Sequence, residues 1–347
     1  MKGIAFAIAE AIDQEMSGNP KVVVMGEDVT YWGAVFGFTM GLHQKYGRER
    51  VIDTPITEQT FMGMAVGAAA TGMHPVVSLM FVDFLGAGFD QMYNHMAKNH
   101  YMSGGQFAMP VTVLTAIGGG YGDAAQHSQV LYGLFAHVPG FKVVVPSTAY
   151  DAKGLTLTAL RDNNPVVIFG HKLLTGLPFL PFEGEEETVP EEPYTIPFGQ
   201  AAVRREGSDL TIVAAGVMVP RSLRAAERLA QDGIDAEVID VRTLVPLDTD
   251  TLVASARKTG RVLIVDEDYQ SYGMTGELAF RIQAAAFDAL KAPIHRLAVP
   301  DVPIPFSEPL ESAVIPGVDR IGSRAPGTDH AAEILSPPGR FMTPSPL

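Results

Sequence analysis

The 347 residues are enough for two domains, and an apolar fraction of 47% can supply their cores. With 39 acidic against 25 basic side chains the net charge is −14, which argues against nucleic acid or an anionic membrane surface as the main partner. The absence of cysteine excludes disulfides and thiolate metal sites and suits a reducing cytoplasm; no secretory signal pattern opens the chain, and no apolar run is long enough to span a bilayer.

Taken in order, residues 3–16 predict an amphipathic helix with Ile4, Ile8, Ala11 and Ile12 on one face. A turn at Asn19-Pro20 leads to a short buried strand, residues 22–25, which ends in Gly26-Glu27-Asp28. A glycine-rich stretch follows to Tyr46. Val51 and Ile52 begin a second strand; Pro55 and Thr57 then bring the chain to Glu58, at the start of a helix rich in Gly, Ala and Met that runs to Met73. Residues 76–81 are a third strand ending at Asp83-Phe84, and a helix is predicted from about Gly86 to Tyr101. Residues 111–116 are a fourth strand, with the glycine loop 118–122 beyond its end. Two more strands, 142–146 and 166–169, flank a helix at 151–160. Residues 177–200 break the rhythm with many prolines and the run Glu185-Glu186-Glu187. From Asp209 the alternation restarts, with strands at 210–214, 236–240, 261–265 and 294–299 separated by helices at 222–232, 248–259 and 276–290.

Apolar strands alternating with helices predict an α/β protein of two doubly wound, mainly parallel-sheet domains. The first is expected over residues 1–180, a linker over 181–205, the second domain over 206–335, and a Pro-rich, disordered tail over 336–347.

In open parallel sheets, ligands bind beyond the carboxyl ends of the strands. Glu27, Glu58, Asp83-Phe84 and the glycine loop with His127 lie at four such ends, and together they would line a cleft with carboxylates, an aromatic face and an imidazole. Each also has a plainer reading. Glu27 fits a solvated turn, Glu58 a helix N-terminal charge, Phe84 a core ring and His127 a satisfied loop side chain. The chain has no Walker loop, no dinucleotide glycine fingerprint, no nucleophile elbow and no His-Glu-x-x-His helix.

The order of segments resembles the β subunit of the thiamine-diphosphate-dependent decarboxylating component of 2-oxo acid dehydrogenase complexes. This is the pyruvate, acetoin and branched-chain dehydrogenase family, within the transketolase superfamily. The similarity runs from about Ile4 to Ile321. It rests on Met25-Gly26-Glu27-Asp28, Asp53-Thr54-Pro55-Ile56-Thr57-Glu58-Gln59, Phe81-Val82-Asp83-Phe84 with Phe89-Asp90-Gln91, Tyr101-Met102-Ser103-Gly104-Gly105, and Ala124-Ala125-Gln126-His127-Ser128-Gln129. Further matches are Lys142-Val143-Val144-Val145-Pro146, Tyr150-Asp151-Ala152-Lys153-Gly154-Leu155 and Arg161-Asp162-Asn163-Asn164-Pro165-Val166.

The resemblance implies a cofactor shared between two subunits, its aminopyrimidine held by this chain and its diphosphate and Mg²⁺ by an α subunit. Glu58 matches the carboxyl that hydrogen-bonds the pyrimidine ring nitrogen and so makes the exocyclic nitrogen a base. Phe84 matches the ring packed on the pyrimidine, Ile56 a backbone contact beside it, and Glu27 a second acid that relays protons. His127 matches the histidine that stabilises intermediates or assists acyl transfer to lipoamide. In some relatives the backbone around Val111, Ala159, Asp162 and Asn164 binds K⁺. Thiamine enzymes hold Mg²⁺ with Gly-Asp-Gly and a later Asn, and Gly122-Asp123-Ala124 departs from that pattern.

An α2β2 heterotetramer is therefore expected, with Gly63 and Gly67 allowing close helix contact at an interface or merely within the chain. The second domain is expected to dimerise the β subunits and dock the acyltransferase core, its acidic residues meeting a basic patch. The substrate is expected to be pyruvate or a related 2-oxo acid, or acetoin, rather than a branched-chain acid. Leu174-Thr175-Gly176 departs from the Leu-Tyr usual there. A separated piece of a single-chain transketolase and a non-catalytic interaction module are the other readings, and the intact Glu58 and His127 argue against the module.

Overall fold

The computed structural model describes residues 3–326 apart from Trp32 and Glu186. The Pro-rich tail and the end of the second expected domain lie outside the described residues. The strands are β1 (Val22–Gly26), β2 (Val51–Asp53), β3 (His74–Phe81), β4 (Thr112–Ile117), β5 (Lys142–Val144), β6 (Val166–His171), β7 (Ala202–Arg205), β8 (Leu210–Ala214), β9 (Ala236–Asp240), β10 (Thr243–Val245), β11 (Val262–Tyr269) and β12 (His295–Val299). They form one sheet ordered β10-β5-β6-β4-β3-β1-β2 and a second ordered β12-β11-β8-β9-β7. Pairing is parallel throughout except for β10 against β5 and β7 against β9.

The continuous apolar runs of the strands follow from burial on both faces. In the first sheet Val22, Val24, Val76, Leu114 and Ile168 point into one core, while Val23, Met25, Val77, Val113 and Phe169 point into the other. On one face the helices Ile4–Gly18 and Ala149–Leu160 pack together. On the other lies the helix Glu58–Ala70, close against the helix Leu85–Asp90. Gly88 lies at that contact: a Cβ there would sit 3.2 Å from the Met62 side chain and 3.4 Å from the Glu58 carbonyl oxygen.

Three departures from the sequence reading bear on the sheets and the site. The helix expected over 86–101 is interrupted: after Leu85–Asp90 comes a π-helical stretch, Gln91–Met96, and then the short helix Asn99–Met102. Residues 202–205, read as linker, form the antiparallel edge strand β7 of the second sheet. Residues 243–245, to which the sequence reading assigned no element, form β10 and extend the first sheet. Runs this short carry too little periodicity to declare themselves as strands.

A buried ion cluster ties the two sheets' surroundings together. Asp151, fully buried in the helix Ala149–Leu160, accepts from Arg204 on β7 and from Arg242 Nη1 at 3.1 Å. Arg204 also donates to Asp240, at the end of β9, at 2.8 Å. Removing one member strands the opposite charge in a dry site. Asp151→Ala is expected to cost about 3 kcal/mol of folding stability. Urea unfolding measures this, and an unchanged midpoint would contradict the bridging role.

Candidate active site

The chain leaves β1 outward to β2 and then crosses back to β3, so the direction of winding changes between β1 and β3. Such a switch point opens a crevice at the carboxyl edge of the sheet. Gly26 ends β1 opposite Asp53 of β2 and Ser78 of β3. Its φ is +145°, and a Cβ there would lie 2.7 Å from the Ser78 carbonyl oxygen, so only glycine fits. The next residue, Glu27, is thereby held at the crevice with 6% exposure.

Glu27 accepts the backbone N–H of Thr57, while its Oε1 is buried without a partner. Burial pushes its carboxyl up to about 7, aided by the neighbouring charges of Glu58 and Asp28 and opposed by the Thr57 N–H. Glu58 is half-buried and begins its helix directly after Thr57. Ile56, in the same turn, is 80% exposed. Structure thus brings the two glutamates together across one residue.

It also joins the other two candidates. Phe84 meets His127 edge-to-face with centroids 5.4 Å apart, and Phe81 meets the same imidazole at 4.7 Å. Phe81 also contacts Phe84 and Phe36, so the imidazole rests against a ring cluster. Phe84 directly precedes the helix whose Gly88 lies against the Glu58 backbone, which links the ring pair to the carboxylate pair.

Lys172, which the sequence reading did not single out, helps to hold this arrangement together with Asp83. Lys172, with no exposed side-chain surface, donates to Asp123 at 2.9 Å and to the His127 carbonyl. Its ammonium lies 5.4 Å from the Phe81 ring centre and 5.0 Å from that of Tyr121. Burial lowers its affinity for a proton, against the pull of Asp123, Glu267 and Asp83. Asp83 takes both the backbone N–H and the side-chain amide of Gln129, at 3.3 and 2.9 Å. Lys172 follows the carboxyl end of β6, so the strand-end rule applied once more would have found it.

The glycine loop is not an open phosphate cradle. The N–H groups of Gly119, Gly120 and Gly122 donate to Glu267 and Glu311, carboxylates of the second domain. The residues expected around K⁺ lie at the other edge of the sheet, before the amino ends of β4 and β6. There the Asp162 carboxylate is paired with Lys142 and with Asn164, and the carbonyls of Val111 and Ala159 accept backbone N–H bonds from Val166 and Asp162. Among the described residues no group of three or more His, Asp and Glu side chains is arranged to hold a metal, and no helix is long and apolar enough to cross a membrane. A separate cleft of about 360 Å³ opens between the Tyr132–His137 and Met274–Ala286 helices. The acid within it, Glu277, is already paired with Arg281 at 2.7 Å, so it offers no counterpart to the Glu27 and Glu58 pair.

Residues 3–178 match the transketolase pyrimidine-binding domain, and residues 199–321 match the transketolase C-terminal domain. The β subunit of acetoin:2,6-dichlorophenolindophenol oxidoreductase from Cupriavidus necator is 47% identical over 332 residues, covering 93% of this chain and 96% of its own length. The pyruvate dehydrogenase E1 component β subunit of Rickettsia felis is 45% identical over 310 residues, with coverage of 89% and 93%. The chain belongs to this family of dehydrogenase β subunits. Among solved structures, an inactive β4 tetramer of a split-gene transketolase superposes with a TM-score of 0.72 at 25% identity, covering 93% of this chain and 96% of the other. As a dehydrogenase β subunit the chain carries its crevice in the pyrimidine-binding half, and the C-terminal half closes over the glycine loop from the side.

The raised carboxyl of Glu27 sets a pH signature. Its folded form titrates near 7 and its unfolded form near 4.5, so folding takes up a proton between those values. Glu27 therefore costs stability increasingly as pH rises through that window. Glu27→Gln is expected to stabilise the chain by about 1–3 kcal/mol above pH 7, with the gain vanishing below pH ~4.5. Thermal unfolding across pH measures this; a gain that grew toward acid would refute the assignment.

Proposed function

We propose that this chain is the β half of a cytoplasmic α2β2 enzyme that uses thiamine diphosphate to cleave pyruvate, or a related 2-oxo acid, and passes the acyl group to a lipoyl domain of an acyltransferase core. The observation that carries the reading is the Glu27–Glu58 pair, joined through the Thr57 N–H at the sheet's switch point beside the Phe84–His127 rings. The residues fit the cofactor, since a buried carboxyl oxygen lacking a protein partner is left at the crevice. Glu58 would hydrogen-bond the pyrimidine ring nitrogen, Phe84 would pack on the ring, and the Ile56 backbone would touch it alongside. Bound thiamine diphosphate supplies a carbon nucleophile and an electron sink. Glu27, titrating near neutrality, can exchange a proton with the Glu58 side of the crevice. His127, fixed against aromatic rings, offers an imidazole to stabilise charge on the reacting carbonyl or to assist acyl transfer.

The diphosphate and Mg²⁺ go to the α subunit in this reading. The loop amides that could grip a phosphate are spent on Glu267 and Glu311, and Asp123 is spent on Lys172. Exposed apolar side chains on the turn before the Glu58 helix, on that helix and on the helices after β3, among them Ile56, Met64, Phe89 and Tyr101, offer such a partner a surface. Gly67 has nothing within 4 Å of an added Cβ, which leaves room for an approaching helix, whereas Gly63 already lies against Gln91. Docking of the acyltransferase core is given to the acidic second domain. K⁺, if bound, would use the main-chain carbonyls of the Val111, Ala159, Asp162 and Asn164 region, because Lys142 already neutralises the Asp162 carboxylate.

Acetoin is the alternative substrate, favoured by the 47% identity to the acetoin oxidoreductase β subunit against 45% for the pyruvate dehydrogenase one. Co-expression with the α chain and assays with pyruvate, acetoin and branched-chain 2-oxo acids, with and without thiamine diphosphate, distinguish these. In that enzyme Glu58→Gln is expected to lower turnover by about 10²–10⁴-fold, and full activity in the variant would overturn its role. The chain purified alone is expected to be inactive; cofactor retention and turnover without an α chain would refute the shared site.

A further inference from the structure

The loop from Gly118 to Gln129 connects β4 to the crevice and carries His127. It is held at its two ends by different domains. At its far end Lys172 grips the His127 carbonyl and Asp83 grips Gln129, both from the first domain. At its start the Gly118 N–H bonds the Gln129 carbonyl at 3.1 Å within the first domain, while the next three hydrogen-bonded glycine N–H groups are gripped from the second. Glu267 Oε1, in the β11 strand, accepts the Gly119 N–H at 2.7 Å. Glu311, in the helix Glu308–Val314, takes the Gly120 N–H on Oε1 at 2.8 Å and the Gly122 N–H on Oε2 at 3.1 Å.

Both carboxylates are buried, at 5% and 2% exposure. Glu267 also holds His171 at 2.8 Å through its other oxygen. Burial pushes its carboxyl up, but His171, Arg221 and the Gly119 N–H outweigh that and keep it below the usual range. The loop needs such a grip. Gly118, Gly120 and Gly122 have φ of +89°, +104° and +83°, and Ala124 sits at +59°, where a Cβ is disfavoured. A Cβ on Gly119 would lie 2.8 Å from Glu311 Oε1 and 2.7 Å from Ile315, so the loop lies directly on that helix.

We propose that Glu311, with Glu267 beside it, is a positioning residue of the active site: it fixes the start of the His127 loop from the second domain and so sets where the imidazole stands. The inference rests on the reading of His127 as a group that acts during turnover. Glu311 acts through His127 and touches no reacting atom.

The test uses the enzyme reconstituted with its α chain, assayed with acetoin or pyruvate and 2,6-dichlorophenolindophenol, together with hydrogen exchange over residues 118–129. Glu311→Gln keeps the shape but turns an amide N–H₂ toward one of two N–H donors. It is expected to speed exchange at Gly119–Gly122 and to lower kcat by about tenfold with KM nearly unchanged, the pattern of a lost transition-state interaction. His127→Ala should also lower kcat, and the double variant should be no slower than His127→Ala alone, because one residue works through the other. Glu311→Asp, which retains both oxygens on a shorter arm, should recover part of the loss and stands in if the glutamine variant does not fold. Unchanged exchange, or losses in kcat that multiply in the double variant, would overturn the proposal. In this dye assay, which bypasses lipoamide, full kcat in His127→Ala would instead overturn His127 as the group that stabilises charge on the reacting carbonyl, and the exchange measurement would still decide whether Glu311 orders the loop.

Discussion

Two glutamates share one small space at the end of the first sheet, and much of the surrounding structure exists to keep them there. Gly26 lets the backbone turn against Ser78, so that Glu27 drops into the crevice. Thr57 offers its N–H to Glu27, which places the Glu58 helix start beside it. The two acids repel, and Glu27 is short of one hydrogen bond. A core designed for stability alone would not retain such a pair. The packing of helix on helix at Gly88 and of β1 between β2 and β3 supplies the rigidity that holds it.

Much of this was legible in the sequence because the physics was local. Buried parallel strands need mainly apolar runs, and β1, β3, β4, β6 and β8 have them. Functional groups in such sheets lie just past the strands' carboxyl ends, which is where Glu27, Glu58, Phe84 and His127 stand. What could not be read were contacts made across large sequence distances. Glu311 meets Gly120 from 191 residues away, and nothing in the residues around position 311 announces a partner. The strands β7 and β10 were missed for a related reason: their existence depends on an edge offered by another part of the chain, not on their own pattern.

The glycine loop illustrates how one sequence feature can suggest two physical states. A run of glycines with exposed N–H groups after a strand suits a phosphate. Here the same N–H groups meet carboxylates of the second domain, so the loop is filled by protein. The loop therefore has no N–H groups free for the anionic part of the proposed cofactor, which is the ground for assigning that part to another subunit. Lys172 completes the picture by balancing Asp123 inside the loop's base, leaving no net positive charge to attract a phosphate.

The strand β10 carries a consequence for how the polypeptide must be made. It is donated from beyond residue 240 to the rim of a sheet whose other members all precede residue 172. Until that late segment leaves the ribosome, β5 presents bare amide and carbonyl groups on an apolar layer, a template to which any extended chain can add. The first sheet's edge is therefore completed only by the second half of the chain, and a gene split between the sheets would leave the front portion without that strand.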